Sequence, residues 1–226
     1  MIGPRFAAVV FDMDGVIFDS ERLYFDAEDE LLRRRGHRFT PELAGHIMGL
    51  PGVLAMEKLI ELLRLEGCDG PGLFTEAQAL FRAKLPNELQ LMDGFADFFA
   101  AVEARALPRA VATSTHRELA LSMLGSFELP TRFHAVLTRD DVTRGKPDPE
   151  VFTRACEALG TPPEETLAIE DSANGVLSAA AAGCQVVALR HSHNRGLEFP
   201  QARFVAASLR DPRLLEFLDS GPKSPF

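Results

Sequence analysis

The sequence predicts an α/β fold: a doubly wound parallel sheet with a small helical domain inserted after its first strand. Three observations predict it. Short apolar runs, apolar on both faces and several rich in Val and Ile, end abruptly in polar residues. Helical patterns follow them, and one stretch of about seventy residues breaks the alternation with helices alone. Runs of this kind are the signature of buried parallel strands, and sheets built from them bind ligands beyond the carboxyl ends of the strands.

The first run covers 6–11 and stops at Asp12. From 20 to 91 no strand is predicted. Helices are expected at 21–35 with Gly36 as the stop, at 41–48, at 53–66 ending at Gly67, and at 75–85 closed by Pro86. Strand and helix then alternate. A helix at 94–106 leads to a run at 109–112 closed by Thr113-Ser114, and a helix at 116–124 leads to a run at 135–137 closed by Thr138. A helix at 150–159 precedes the run 167–169, closed by Glu170-Asp171, and a helix at 173–182 precedes 186–189, closed by Arg190. The division expected is therefore 1–19 and 92–226 for the α/β core and 20–91 for the helical domain, with 221–225 as a loose tail.

Composition narrows the partners. The chain of 226 residues has 24 Lys+Arg against 33 Asp+Glu, a net charge of −9, which disfavours a phosphate backbone as the main partner. Nucleic acid is not expected. A small phosphorylated ligand needs only a few local cations and stays open. Cys68, Cys156 and Cys184 are scattered, with no pattern of a disulfide framework or zinc site. Asp12 and Asp14 cut the N-terminal apolar run too short for a secretory signal, and the later run 179–189 is too short for a bilayer. No membrane association is expected, and the chain reads as cytoplasmic.

Four constellations close the predicted strands or lie beside them. Asp12-Met13-Asp14-Gly15 follows the first, so two carboxylates can reach one pocket. Thr113-Ser114 offers a hydroxyl and backbone N–H groups at a helix start. Gly145-Lys146-Pro147-Asp148-Pro149 holds a cation in a stiff turn, and Glu170-Asp171-Ser172 adds a second acidic pair. Each alone could be a loop or helix cap, Asp148 and Glu170 included. Together they suit phosphoryl transfer. A carboxylate approaching a phosphate dianion meets strong repulsion, which cations already in place must offset. Carboxylates can hold Mg²⁺, lysine adds a second positive charge, and hydroxyl and amide groups bind the remaining oxygens.

These four motifs, in this order and with a helical insertion after the first, resemble the haloacid dehalogenase superfamily over about residues 6 to 219. The nearest subgroup is that of phosphatases and β-phosphoglucomutase-like members with a helical cap. The resemblance implies that Asp12 is a nucleophile forming an aspartyl-phosphate, and that Asp14 is the acid and then the base. It implies Thr113 and Lys146 as holders of the phosphoryl group, assisted by the Ser114 amide. The Mg²⁺ ligands implied are Asp12, Asp171, the Asp14 backbone carbonyl, and Glu170 directly or through water. Family branches with an aromatic residue, Thr or Ala two places after the nucleophile are dehalogenases, P-type pumps and phosphonatases. Asp14 at that place implies phosphate esters.

The activity expected is Mg²⁺-dependent hydrolysis of small phosphorylated metabolites, with sugar phosphates first. A β-phosphoglucomutase-like activity and a non-catalytic binding protein remain as alternatives. Against the mutase, the family's cap His and Arg positions hold Tyr24 and Gly52. Substrate contacts are expected from Tyr24, Met48, Leu50 and Lys58, and hinges near Ser20 and Asp93-Gly94. The segment before Lys146 has Asp140 where a P-loop needs its first glycine. His191 and His193 read as solvated loop residues, Arg33-Arg34-Arg35 as a solvated helix end, and Phe95, Phe98 and Phe99 as core.

Overall fold

The computed structural model describes residues 6–47 and 50–221. The Met48 contact and tail residues 222–226 lie outside them. The chain runs β1 (Ala8–Phe11), α1 (Ser20–Arg33), α2 (Pro41–Ile47), α3 (Gly52–Leu63), α4 (Gly70–Glu88), α5 (Phe95–Ala104) and β2 (Arg109–Ala112). It continues through α6 (Arg117–Gly125), β3 (Ala135–Leu137), α7 (Glu150–Leu159), β4 (Thr166–Glu170), α8 (Ala173–Ala181), β5 (Gln185–Leu189), β6 (Phe204–Ala206) and α9 (Pro212–Ser220). Two compact units result: one runs up to Asp19 and resumes at Gln90, and the other is Ser20–Leu89.

The α/β unit holds a sheet in the order β3-β2-β1-β4-β5-β6, every pair parallel. The chain leaves β1 toward β2 and β3, then returns to β4 and proceeds the other way. The direction therefore switches between β1 and β4, the place where such sheets open a crevice for ligands. Alternate residues of the strands feed different cores. Val10, Ala110, Ala112, Ala168, Val186 and Ala188 join one cluster with Phe152 and Ala155 of α7 and Val176 and Ala179 of α8. Phe11 points the other way, with ring centroids 5.9–6.1 Å from those of Phe95, Phe98 and Phe99 on α5. Those three phenylalanines are buried, as expected. Each fully buried Phe contributes roughly 1.5–3 kcal/mol, so the strand carrying Asp12 is anchored from both faces.

β6 and α9 were not expected. β6 is three residues long, too short for a period to show, whereas α9 carries a start signal: Pro212 opens it and the Asp211 side chain accepts from Arg213 N. The Cys156 and Cys184 thiols share a hydrogen bond at 3.7 Å without forming a disulfide, and Cys68 is also a free thiol.

The helical unit packs α1 and α3 against α4 around Leu31, Leu32, Met56, Leu59 and Leu73. α4 begins at Gly70 rather than 75, because Asp69 caps it by accepting from Gly72 N at 2.7 Å. It also passes through Pro86, which lies in the last turn where little of the helix remains to be disrupted. The unit closes at Leu89 rather than 91. Backbone bonds from Asp19 N to Gln90 O and from Met92 N to Ile17 O tie residues 90–92 to the α/β unit. Gly94 is not at the crossing but caps α5, at φ 82°. The Arg33-Arg34-Arg35 run is a largely solvated helix end, with Arg33 and Arg34 exposed, and Asp29, Glu30 and Glu76 pair with its members at 2.8, 2.6 and 2.5 Å. Among the described residues no helix is long and apolar enough to cross a membrane.

Candidate active site

The central strands deliver the carboxylates. β1 ends into Asp12, whose backbone N–H donates to Ile169 O on β4 at 2.9 Å, and β4 ends into Glu170 and Asp171. Lys146 comes from the loop before α7, and that loop is fastened at several points. The Glu150 carboxylate accepts from Thr143 N and Arg144 N at 3.0 and 2.9 Å, and Ser178 Oγ donates to Asp148 O at 2.6 Å. Asp148 Oδ1 accepts from Glu150 N, the first residue of α7, at 3.1 Å.

So held, Lys146 Nζ donates to Asp12 Oδ1 at 2.5 Å, Glu170 Oε1 at 2.6 Å and Ala112 O at 2.9 Å. An ammonium has three N–H donors, and these three acceptors use them all. The other Glu170 oxygen, Oε2, accepts from Asp171 N, Ser172 N and Ser172 Oγ at 2.8, 3.0 and 3.1 Å. Ser172 in turn caps α8 by accepting from Gly175 N. A Cβ on Gly175 would lie 1.7 Å from Glu170 Oε1, so only glycine leaves room for this carboxylate.

Asp12, Glu170 and Asp171 are buried, and each offers an oxygen within 4.8 Å of the others. Burial pushes the Asp12 carboxyl well above the usual range. Lys146 opposes that shift, and the carboxylates of Glu170, Asp171 and Asp14 add to it. Burial pulls Lys146 down, but Asp12 and Glu170 outweigh it and hold the ammonium protonated. Three buried carboxylates against one ammonium leave an excess of negative charge. Oxygen donors so arranged fit a hard divalent cation such as Mg²⁺.

Asp14 stands beside this cluster on a tight turn. Gly15 adopts φ +75°, and its N–H donates to Phe18 O at 2.8 Å. Asp14 Oδ2 accepts from Thr115 Oγ1 at 2.7 Å. Thr113 is buried at the end of β2 and accepts from Thr115 N at 3.0 Å, while Ser114 is exposed ahead of α6. Of the residues expected in the helical unit, Tyr24 stacks on Phe81 with centroids 3.9 Å apart. Leu50 is 42% exposed, and Lys58 pairs with Glu61 at 2.8 Å.

Three residues of the site were not expected from sequence. Thr115 follows directly on the Thr113-Ser114 pair and could have been read with it. His191, expected in solvent, has a side chain only 11% exposed, with Nε2 2.7 Å from Asp171 Oδ2. The correction has a physical cause: Asn194 folds the loop after β5 back, donating from Nδ2 to both Asp171 O and Leu189 O at 2.8 Å.

The family model of haloacid dehalogenase-like hydrolases matches residues 6–183. A phosphorylated carbohydrates phosphatase of Thermotoga maritima is 33% identical over 201 residues, 88% of this chain and 92% of that protein. Validoxylamine A 7'-phosphate phosphatase of Streptomyces hygroscopicus subsp. limoneus is 31% identical over 84% of this chain and 88% of its own. Among solved structures, CbbY from Rhodobacter sphaeroides in complex with phosphate is 26% identical and superposes with a TM-score of 0.74, covering 90% of this chain and 95% of that one.

Proposed function

The chain belongs to the haloacid dehalogenase-like hydrolases, and we propose that it is a Mg²⁺-dependent phosphatase of small phosphorylated metabolites, sugar phosphates first. The observation that carries this reading is the buried Asp12, held at 2.5 Å by Lys146 beside Glu170 and Asp171 where the sheet changes direction.

In this reading an Asp12 carboxylate oxygen attacks phosphorus and the bond to the ester oxygen breaks, leaving an aspartyl-phosphate. Asp14 gives its proton to the departing alcohol oxygen. The Asp14 carboxylate then takes a proton from water as that water attacks phosphorus, which frees inorganic phosphate and restores Asp12. Thr113 and the Ser114 amide hold the phosphoryl oxygens, and Lys146 joins them by turning toward phosphate the N–H it gives Asp12 Oδ1. Thr115, bonded to Asp14, fixes the acid's direction between the two steps. Mg²⁺, held by Asp12, Asp171 and the Asp14 carbonyl, supplies when bound the positive charge that lets two anions meet. Both Glu170 oxygens already accept protein hydrogens, which favours a water-mediated part for that residue.

The helical unit is assigned the choice of ester, with Leu50 and Lys58 the side chains to vary there. The mutase reading is weaker. Tyr24 is engaged with Phe81, and a Cβ at Gly52 would lie 2.1 Å from the Phe74 ring, so that position is closed to an arginine unless the ring moves.

The test is a phosphate-release panel of sugar phosphates and phosphoglycolate with Mg²⁺ and with chelator. The expected result is Mg²⁺-dependent release, fastest from sugar phosphates. Conversion of β-glucose 1-phosphate to the 6-phosphate without release would favour the mutase instead. Silence across the panel would favour a binding protein.

A further inference from the structure

A carboxylate that serves a metal ion must keep one oxygen aimed at it, and rotation about the bond to its Cγ has to be stopped by something. For Asp171 the loop after β5 does this, with Asn194 holding the backbone and His191 the carboxylate itself. Asn194, 4% exposed, donates to the Asp171 carbonyl at 2.8 Å. The same Asn194 accepts from His191 N at 2.9 Å and so fixes the histidine backbone. The His191 ring then meets Asp171 Oδ2 at 2.7 Å. Gly15 closes the third side: a Cβ there would lie 2.1 Å from Asp171 Oδ2 and 3.1 Å from His191 Nε2.

The bonding pattern assigns the ring proton. His191 Nδ1 accepts from His193 N at 3.3 Å, so the hydrogen of a neutral ring lies on Nε2. A carboxylate offers only acceptors, so Nε2–H donates to Asp171 Oδ2. In that neutral form the donor can orient the carboxylate without repelling a cation. Groups that hydrogen-bond a metal ligand in this way tune metal affinity without touching the ion.

We propose that His191 is a positioning residue that holds Asp171 Oδ2, turns Oδ1 toward the ion, and thereby sets the affinity of the site for Mg²⁺. The proposal rests on the metal-dependent reading above. It goes beyond that reading by giving the loop after β5 a part in the chemistry.

The test measures Mg²⁺ binding directly, by titration calorimetry of the full chain with Mg²⁺ alone and no substrate, on the parent, His191→Phe and His191→Gln. Phe keeps the ring volume and loses the donor, whereas Gln restores an uncharged N–H donor. The expected result is affinity weakened about 10- to 100-fold in His191→Phe and largely recovered in His191→Gln. In turnover assays the Mg²⁺ half-saturation should move with it, while the substrate KM stays near the parent value. Equal Mg²⁺ affinity in the parent and His191→Phe overturns the proposal and leaves the metal reading intact. A parent that binds no Mg²⁺ overturns both. Should His191→Phe fail to fold, His191→Leu takes its place as the variant without a donor: weakened Mg²⁺ affinity there, recovered in His191→Gln, supports the donor role, and parent-like affinity in a folded His191→Leu overturns it.

Discussion

The two units of this protein use charge in opposite ways. In the helical unit exposed side chains pair one turn apart, Arg34 with Glu30 and Lys58 with Glu61, and the buried Asp29 is met by the exposed Arg33 and Arg38. In the α/β unit Lys146 is buried and reaches Asp12 from 134 residues away and Glu170 from 24. Exposed local pairs contribute a few tenths of a kcal/mol and are forgiving. Buried pairs contribute little net stability when complete but cost several kcal/mol when one partner is lost. A buried ionisable cluster of this kind marks a candidate functional site.

The contrast can be broken most severely at Lys146. Lys146→Met leaves Asp12 and Glu170 buried without their cation. Turnover should disappear, and stability measured by urea unfolding should fall by about 3–5 kcal/mol. A change within about 0.5 kcal/mol would mean that the α/β cluster is as forgiving as the surface pairs. A smaller effect is expected from steric pressure on the same cluster. Gly175→Ala drives a methyl group into Glu170 and should cost about 1–3 kcal/mol. Activity should fall as well, because Glu170 positions Lys146; unchanged urea midpoint and turnover would count against the packing described.

The third test belongs to the helical unit and sharpens the contrast, since the Glu28 carboxyl there departs from the rule. Burial, with Glu21 adding to it, pushes the Glu28 carboxyl up from 4.5 to about 8. Between those values the unfolded chain has released a proton that the folded chain still binds, so this group lowers stability as pH rises through that window. Glu28→Gln should remove that loss, with its urea midpoint gaining on the parent from pH 5 to pH 8. Parallel pH profiles for the two proteins would contradict the shift.

How much of this could be read in the sequence follows from distance along the chain. Asp12, Thr113 and Glu170-Asp171 were legible because each terminates an apolar run, and the rule that strands of a parallel sheet open on one rim supplies the rest. Lys146 was legible through the stiff Gly-Lys-Pro turn around it. The bond between Thr115 and Asp14 joins residues 101 apart and leaves no local trace. His191 looked like any loop histidine because its burial depends on Asn194 folding the loop over β4. In the helical unit the helices themselves were legible from their periodicity. The early start of α4 was missed because an Asp cap followed by Gly-Pro-Gly reads locally as a turn.

The central claim is that Asp12 takes phosphorus. Its most direct test is Mg²⁺-dependent hydrolysis of a generic aryl phosphate by the parent and by Asp12→Asn, compared at matched folded concentration. The predicted result is a fall in kcat of about 10⁴-fold or more, because no other group can replace the nucleophile. Parent-like turnover in a folded Asp12→Asn protein would contradict it.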